Sequence, residues 1–445
     1  MTPRKAERYD TSEAALDVLM HEHDAGVLGE HDDDVWYRYH DGYAQAALSV
    51  RLPVRPLMTY GHRETLVFFD NLLLESDTRD ELARVRQDDR SDVAGLLGRV
   101  GGECAGAVSV WTPGAERPTT ATYRALSGQE LSALFDERHG ERLTAAMLES
   151  RQVMSGVQRK LVLRRWNNTW QLPLDGAAGT HIIKRASGRY DGLVANELAC
   201  LAFYRALGLA VPAAHAIASE DDSTEPTLLA IERYDRVEAT ATEDTSTEAT
   251  STDARSLPPI TRVHQEDMCQ VTGRLPRRKY QRDGGPGVRD LAAAIRRYSV
   301  RPAIDLQDLL TAVVANVCLG NGDAHGKNFA LLHSTSGARL APFYDVVSTE
   351  VYQSLSPDLS MRFGHSYQPH TLTTDDVQRL AADLGVAPAK VRSTIEQVTT
   401  TLQQAMPDVL HATTAMVGGE VVALSRLEAL MRVRVPSVAA LARRV

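Results

Sequence analysis

The sequence predicts an α+β protein in which a strand-rich region precedes a long and mostly helical one. Three observations lead to this prediction. Short runs of strand-forming residues recur over 15–145. Strand, helix and strand patterns follow one another over 155–231, and beyond residue 257 the apolar residues recur at helical spacing. At 445 residues, the chain is long enough for two or three domains and a large buried core.

The first part of the chain, 1–145, has the pattern of an N-terminal α/β subdomain. Val35–Tyr39 is rich in strand formers, and 107–111 has the same character. The apolar run 66–74 predicts a helix. We therefore expect a mixed unit of short strands and helices here.

The second part, 146–237, shows strand patterns on both sides of one helix. The periodicity predicts the helix over 193–207, and Gly208 suits the position just past its end. The predicted strands are short runs of apolar and β-branched residues: Lys160–Leu163, Trp170–Leu172, His181–Lys184 and Leu228–Ile231.

An acidic insertion and a helical region complete the chain. Residues 238–256 are rich in Ser, Thr, Ala, Asp and Glu and hold no large apolar residue, which predicts a disordered surface segment. Over 257–445 we expect a helical unit, in which the apolar residues of 309–317 share one helical face. Thr373 and Asp376 form a capping box. Two further helices are predicted over 389–405 and 420–432.

Composition excludes several classes of protein. The net charge of −9 argues against a chain that binds nucleic acid electrostatically as a whole. Four widely spaced cysteines form no C-x-x-C pair, so we expect neither a zinc knuckle nor a disulfide framework, and a reducing cytoplasm fits. No apolar stretch approaches 18 residues, so we expect no signal peptide and no membrane span.

The loop 320–328, Gly-Asn-Gly-Asp-Ala-His-Gly-Lys-Asn, is the most informative stretch. Asp323 and Asn328 have the offset of the catalytic Asp and metal-binding Asn in the protein-kinase loop H-R-D-x-x-x-x-N. Asp345 lies a short hairpin downstream, where a second metal-binding acid is expected. Phosphoryl transfer needs a carboxylate for a hydroxyl proton and oxygen ligands for Mg²⁺. An Asp, an Asn and a second Asp at this spacing supply those parts, and the order of strands, helix and strand over 146–237 is that of a kinase small lobe.

Further candidates lie in the predicted small lobe. Lys184 ends a strand, from which its ammonium can reach phosphates, and Glu197 on the following helix can pair with it. Taken alone, Lys184 is far more often a solvated charge, and Glu197 is an ordinary first-turn helix acid. The position of Lys184 before the helix and upstream of Asp323 favours the functional interpretation. Glu232, Arg233 and Tyr234 follow a buried strand where a kinase connects its lobes. There the backbone would bond adenine and Tyr234 could cover the ring, although an ordinary polar strand end is the alternative.

Three other features have open interpretations. The segment Ser155, Gly156, Val157, Gln158, Arg159 and Lys160 precedes the first strand, and its small residues let backbone N–H groups approach phosphates. On the residues alone, a simple turn is the better-supported alternative. His325 can orient the loop, contact a phosphate or satisfy a backbone carbonyl. Lys327 can neutralise the transferred phosphoryl group or face solvent.

Taken together, these residues resemble the HipA family, the serine/threonine-kinase toxins of bacterial HipA–HipB toxin–antitoxin pairs. The matching pieces run in family order over most of the chain: Phe68–Leu73, Ser155–Lys160, His181–Lys184, Asn196–Glu197, Glu232–Arg236, Gln265–Gln270, Tyr280–Gly287, Gly322–Phe329 and Pro342–Asp345.

The resemblance implies a two-lobed protein-kinase-like fold with an extra N-terminal subdomain and a mostly helical C-terminal lobe. It also implies Mg²⁺ and ATP as cofactors and a role for each candidate. The implied roles are Asp323 as catalytic base, Asn328 and Asp345 as Mg²⁺ ligands, Lys184 as phosphate holder, 232–234 as adenine hinge, and 155–160 as phosphate-binding loop. Ser155 corresponds to the family's autophosphorylation site. A phosphate there would add two negative charges to a loop that must fold over ATP, and could expel it.

The resemblance also implies partners. Toxins of this family phosphorylate a serine of an aminoacyl-tRNA synthetase, glutamyl-tRNA synthetase in the best-known case, and so stall translation. A HipB-like helix-turn-helix antitoxin binds the toxin and represses the operon, so DNA is reached mainly through the antitoxin. The insertion 238–256 and an N-terminal subdomain that matches only in patches leave the target and the antitoxin contacts open.

Two other functions remain as alternatives. A small-molecule phosphotransferase is one, because antibiotic kinases use a related Asp-x-x-x-x-Asn loop. A nucleotide-binding pseudokinase that serves its antitoxin as corepressor is the other. The presence of Lys184, Asp323, Asn328 and Asp345 argues against the pseudokinase.

Overall fold

The structure is a computed structural model, which describes residues 15–31, 34–86, 89, 91–156, 158–186, 188–218, 227–239 and 257–443. Contacts between residues divide the chain into two compact units. The first unit comprises Met1–Ile182 and Asp235–His264, and the second comprises Ile183–Tyr234 and Gln265–Val445. The four segments expected from the sequence, with limits at 145, 237 and 256, stay a prediction.

The described residues form these strands, in chain order: β1 (Leu16–Met20), β2 (His23–His31), β3 (Asp34–Tyr39), β4 (Thr59–Tyr60), β5 (Val108–Trp111), β6 (Thr122–Leu126), β7 (Lys160–Trp166), β8 (Thr169–Leu174), β9 (His181–Arg185), β10 (Ala214–Ile217), β11 (Leu228–Glu232), β12 (Arg236–Glu238), β13 (Ile260–Arg262), β14 (Gln265–Asp267), β15 (Ala330–Ser334) and β16 (Gly337–Leu340). They form these helices: α1 (His62–Phe69), α2 (Ser76–Arg86), α3 (Val93–Val100), α4 (Gly128–Leu134), α5 (Gly140–Glu149), α6 (Leu193–Ala206), α7 (Met268–Thr272), α8 (Val288–Tyr298), α9 (Pro302–Leu319), α10 (Thr374–Leu384), α11 (Pro388–Met416) and α12 (Val422–Arg443).

Besides the two-stranded sheet β12-β13, the described residues of the first unit contribute two sets of antiparallel strands. One has the strand order β4-β3-β2-β1-β5, and in the other β8 lies between β6 and β7. The turn between β7 and β8 is Asn167–Asn168, with φ of 45° and 59°. Two left-handed residues in succession match the right-handed twist of a hairpin, and Asn tolerates this conformation. The strands predicted for this region are therefore present, and their turn residues explain the register.

The helix predicted over 66–74 is wrong in its second half. Helix α1 ends at Phe69, a short 3-10 turn follows over Asp70–Leu72, and Leu73 is extended. The Asn71 side chain donates to the carbonyl of Val67 at 2.8 Å. A side chain that bonds the backbone in this way competes with continuation of the helix, and the apolar run alone gave no sign of it.

A buried ion network ties together distant parts of the first unit. Arg236 and Glu103 both have side chains with 0% exposure, and they meet at 2.8 Å. Arg262 approaches the same carboxylate at 2.9 Å, and Asp235 lies 3.1 Å from Arg236. Because buried charges are tolerated only when paired, this network fixes the segment after residue 234 to the rest of its unit. Glu238 belongs to β12 rather than to the predicted insertion, of which 240–256 lie outside the described residues.

The second unit is mostly helical and is built around α9. This helix starts with Pro302 in its first turn and ends at Gly320, whose φ is 67°. It packs against α8, α11 and α12. Within the described residues, α9 is also long and apolar enough to cross a membrane by length and composition alone, but 61% of it is buried inside the structure. That burial is what a core helix requires.

The last two predicted helices are present and longer than expected. Helix α11 continues through Pro407 and α12 through Pro436. A proline in a helix removes one backbone hydrogen bond and normally ends or bends the helix. Here α11 packs against α12, α6 and α9, and the buried apolar face compensates for the missing bond. The capping box predicted at Thr373 is confirmed, with Asp376 as its partner.

Candidate active site

The loop 320–328 leaves the end of α9 and is fixed by its own polar groups. The Asp323 backbone N–H donates to Asn321 Oδ1 at 3.0 Å. The Asp323 carbonyl accepts from Asn328 Nδ2 at 2.9 Å and from the His325 N–H at 2.8 Å. Asp323 and Asn328 are thus brought together, as their spacing predicted.

The Asp323 carboxylate is reachable from solvent on one side and held on the other. Its side chain is 41% exposed. Tyr280 Oη donates to Asp323 Oδ1 at 2.7 Å, and His325 Nε2 lies 3.9 Å from the same oxygen. A carboxylate with this exposure and orientation can accept a proton from an incoming hydroxyl group.

His325 is a buried, neutral imidazole beside this carboxylate. Burial lowers the pKa of His325 to about 3, and the positive charges of Lys279 and Lys327 act in the same direction, while Asp345 opposes them. The Tyr280 ring meets the imidazole edge-on at 5.0 Å between centroids. Among the described residues, His325 Nδ1 is buried and has no hydrogen-bond partner, so one ring nitrogen remains for a polar ligand.

Lys184 joins two carboxylates in the second unit. Its Nζ donates to Glu197 Oε1 at 2.9 Å and to Asp345 Oδ1 at 2.5 Å. Burial alone would lower the pKa of Lys184, but the two carboxylates outweigh it and leave the pKa above its ordinary value. The side chain is therefore a fixed cation. The pairing expected from the sequence between Lys184 and Glu197 is present in the structure.

Helix α6 holds Glu197 through its neighbour Asn196. Asn196 Nδ2 donates to the Ser348 carbonyl at 2.8 Å, and the Ser348 N–H donates to Asn196 Oδ1 at 2.9 Å. This two-way bond links the helix to the segment that follows Asp345. Asn196 belongs to the Asn196–Glu197 pair in the sequence, but its role depends on a contact 152 residues away.

Asp345 has a backbone conformation that is uncommon for residues other than glycine. Its φ is 57°, in the left-handed region. Residues held in sparsely populated conformations cost about 1–3 kcal/mol and cluster at functional sites. Asp tolerates this conformation better than most residues, and the conformation is compatible with a functional role of the Asp345 carboxylate.

Lys327 is bound inside the unit and does not face solvent, which removes one of its two predicted alternatives. It is 5% exposed, and its Nζ donates to Asp267 Oδ2 at 2.9 Å. Asp267 also caps α7 by accepting from the N–H groups of Cys269 and Gln270. Burial raises the pKa of Asp267, although Lys327 and the capping bonds oppose this. The pair connects the loop to the start of α7.

The predicted hinge residues lie at the end of β11. Glu232 is exposed and its N–H donates to the Ala213 carbonyl at 2.8 Å, whereas Arg233 is buried. The Tyr234 ring lies 5.9 Å from that of Tyr344, and its hydroxyl donates to Gln265 Oε1. Tyr344 in turn donates to the Lys327 carbonyl at 2.6 Å, which connects this group to the loop 320–328.

The described residues of the segment 155–160 belong to the first unit and contact one another. Lys160 Nζ donates to the Ser155 carbonyl at 2.6 Å. Gly156 has φ of 115°, and a Cβ there would lie 2.6 Å from that Nζ, so glycine is required. Arg159 pairs with Glu81 at 3.2 Å, Gln158 is half-buried, and Val157 lies outside the described residues.

Two groups of predicted residues are therefore brought together in the second unit. One is Lys184 with Glu197 and Asp345, and the other is Asp323 with His325 and Asn328. The sequence alone assigned no role to Tyr280, which contacts Asp323, or to Asp267, which contacts Lys327. Both lie in stretches that had been matched to the family, but a match to a stretch does not say which side chain is functional.

Known proteins show the same organisation. Residues 153–406 match the HipA-like C-terminal domain, and 16–111 match the HipA N-terminal domain. A Sinorhizobium fredii protein named "Putative kinase Y4mE" is 32% identical over 82% of this chain and 83% of its own. The "Serine/threonine-protein kinase toxin HipA" of Shewanella oneidensis is 25% identical, over 77% of each chain.

A solved structure shows the fold. The HipA of Shewanella oneidensis, in its complex with HipB and operator DNA, superposes with a TM-score of 0.77 at 21% identity, covering 97% of this chain and 100% of that one. The fold and the paired side chains thus define an α+β protein of the kinase-like HipA architecture, as predicted. The chain belongs to the HipA family.

Proposed function

We propose that this protein is an ATP-dependent serine/threonine protein kinase and the toxin of a type II toxin–antitoxin system. The contrast between two side chains carries the proposal. Lys184 is buried and fixed between two carboxylates, with 8% of its side chain exposed, whereas 41% of Asp323 is exposed. A fixed cation for phosphates and a reachable base for a hydroxyl are the two requirements of phosphoryl transfer.

The donor set fits Mg²⁺ bound to ATP. Asn328 uses its amide nitrogen on the Asp323 carbonyl, so its amide oxygen is the atom that a metal would meet. Together with the Asp345 carboxylate this gives hard oxygen ligands, which Mg²⁺ prefers. When bound, Mg²⁺ would neutralise phosphate charge. Lys184 would hold the phosphates, and the backbone of 232–234 would receive the adenine.

Asp323 would act as the base. It accepts the proton of the acceptor hydroxyl while that oxygen bonds to the γ-phosphorus of ATP and ADP leaves. His325 and Lys327 would serve the same loop differently. Nδ1 of neutral His325 has no hydrogen-bond partner in the part of the chain that the structure describes, and it suits a contact to a phosphate. Lys327 binds Asp267 and supports the loop.

Family membership supports the wider proposal. The relatives include a protein named as a HipA kinase toxin and one solved with HipB and operator DNA. We infer a HipB-like antitoxin as partner, DNA reached through it, and an aminoacyl-tRNA synthetase, such as glutamyl-tRNA synthetase, as substrate in the cytoplasm. Ser155 is the proposed autophosphorylation site, and its carbonyl accepts a hydrogen bond from Lys160 Nζ.

Labelling with ATP tests the activity. The protein and its Asp323→Asn variant are incubated with γ-labelled ATP and a bacterial lysate, with Asp375→Asn, an exposed acid on α10, as control. We expect one labelled lysate protein with wild type and control, and none with Asp323→Asn. Expression of wild type, but not of Asp323→Asn, should arrest growth.

Other results would select the alternatives. Turnover of a small alcohol far above any protein labelling would indicate a small-molecule phosphotransferase. ATP binding without transfer to itself or to any lysate protein would indicate a pseudokinase. Equal labelling by wild type and Asp323→Asn would overturn the assignment of the base.

A further inference from the structure

We propose that Tyr280 is a positioning residue for phosphoryl transfer, whose phenol holds the Asp323 carboxylate in the orientation that receives the acceptor proton. The inference rests on the proposed kinase function, because it concerns the proposed base. Its structural basis is the 2.7 Å bond from Tyr280 Oη to Asp323 Oδ1.

The bond is made to a partly exposed side chain. Asp323 is 41% exposed, so the terminal torsion of its carboxylate is not fixed by close packing. A phenol donor to an ionised carboxylate makes a charge-assisted bond, which is stronger than a neutral one. Tyr280 therefore selects one carboxylate orientation before any acceptor arrives, and this preorganisation lowers the reorganisation needed for transfer.

The phenol is itself held in place by a tight turn. The Tyr280 carbonyl accepts from the Gly285 N–H at 2.8 Å and from the Asp283 N–H at 3.0 Å. A Cβ on Gly285 would lie 2.6 Å from that carbonyl oxygen, so the turn closes only around glycine. The Gly326 N–H donates to the Lys279 carbonyl at 3.1 Å. The turn and the loop 320–328 are thereby joined through their backbones, and the distance between phenol and carboxylate is fixed from both sides.

His325 supports the same geometry. Its ring packs edge-on against Tyr280 at 5.0 Å, and its Nε2 approaches the oxygen that the phenol holds. The imidazole is a buried side chain in the same loop, so it limits the movement of the phenol. The position of Asp323 Oδ1 is thus determined by the turn at 280–285 and by the loop 320–328 with its imidazole.

The test uses Tyr280→Phe, which keeps the ring and removes the donor. The matched control is Tyr298→Phe on α8. Both are assayed for transfer from γ-labelled ATP to the purified lysate protein identified by the labelling experiment. We expect kcat to fall about tenfold in Tyr280→Phe, as for a lost charge-assisted hydrogen bond. The KM for ATP should stay within about twofold, since Lys184 and Asp345 hold the nucleotide side of the site. Tyr298→Phe should match wild type.

A double-mutant cycle separates positioning from a general structural role. If Tyr280 acts through Asp323, adding Tyr280→Phe to Asp323→Asn should cause no further loss of residual transfer. Independent, additive losses, or an unchanged kcat in folded Tyr280→Phe, would overturn the inference while leaving the kinase proposal standing. Absence of any transfer by wild type would instead overturn the kinase proposal itself, and full activity in Asp323→Asn would overturn the assignment of the base.

A second variant keeps the test decisive if Tyr280→Phe does not fold. Thermal unfolding shows whether Tyr280→Phe is folded. If it is not, a fluorinated tyrosine incorporated at position 280 keeps the ring shape and makes the phenol a stronger donor. Its kcat should differ from that of wild type, and an unchanged kcat would overturn the proposed role.

Discussion

Acidification should destabilise the protein through His325. The perturbation is a fall in pH from about 7 to about 5, applied to wild type and to His325→Gln. Burial, Lys279 and Lys327 lower the pKa of His325 from 6.5 to about 3 in the folded protein. Between these values the unfolded chain binds a proton that the folded chain does not, so stability rises with pH and is lost as pH falls.

The size of the effect follows from the two pKa values. With 6.5 in the unfolded chain and about 3 in the folded one, His325 alone should cost about 2 kcal/mol between pH 7 and pH 5. The loss begins near the unfolded pKa and grows until the pH reaches the folded value. The imidazole is buried in the second unit, so solvent screens this penalty little.

Urea denaturation at the two pH values measures the free energy of unfolding and so tests the prediction. Wild type should lose about 2 kcal/mol more free energy of unfolding than His325→Gln does over the same interval. Other acidic and basic groups titrate in both proteins, so the difference isolates the one imidazole. His370→Gln, which replaces an exposed histidine of the same unit, is the control and should behave as wild type.

Equal pH dependence in wild type and His325→Gln would refute the reasoning, because it would mean that the imidazole is protonated in the folded protein. A steeper loss in the variant would refute it as well. Either result would also remove the basis for treating His325 as a neutral partner of a phosphate.

Three further substitutions have definite expected results. Glu197→Gln removes one of the two charges that orient Lys184, and the KM for ATP should rise roughly tenfold in a steady-state assay. Glu103→Gln leaves Arg236 fully buried without its main charge partner, and the free energy of unfolding in urea should fall by about 3 kcal/mol. Gly320→Ala places a side chain at φ of 67° against neighbouring side chains, and thermal denaturation should show a loss of about 2 kcal/mol or more.

Local features of the fold could be predicted from the sequence because their causes are local. Strands β7 and β8 were recognisable from their residue types, and the Asn167–Asn168 turn sets their pairing. The offset between Asp323 and Asn328 is short enough for one loop to determine it. Helix ends were harder to predict. The length of α11 depends on its packing against other helices. The local sequence around Pro407 carries no information about that packing.

Supporting side chains could not be predicted for a similar reason. Tyr280 reaches Asp323 across 43 residues, and Asp267 reaches Lys327 across 60. Such contacts depend on how helices and loops pack, and a tyrosine or aspartate near a turn has many ordinary uses. Lys184 and Glu197 are only 13 residues apart on adjacent elements, so their pairing could be expected from the order of strand and helix.

Because Lys184 already binds Asp345 Oδ1, a metal ion that bound the same oxygen would displace an existing contact. A divalent ion that bound Asp345 Oδ1 would compete with the Lys184 ammonium, which lies 2.5 Å from that oxygen. Lys184 would keep its contact with Glu197, and the phosphates of an arriving nucleotide would replace the carboxylate contact that it lost. Binding of the metal would free Lys184 for the phosphates, and the phosphates would compensate for its lost contact. We therefore expect metal and nucleotide to bind together and the metal ion alone to bind weakly.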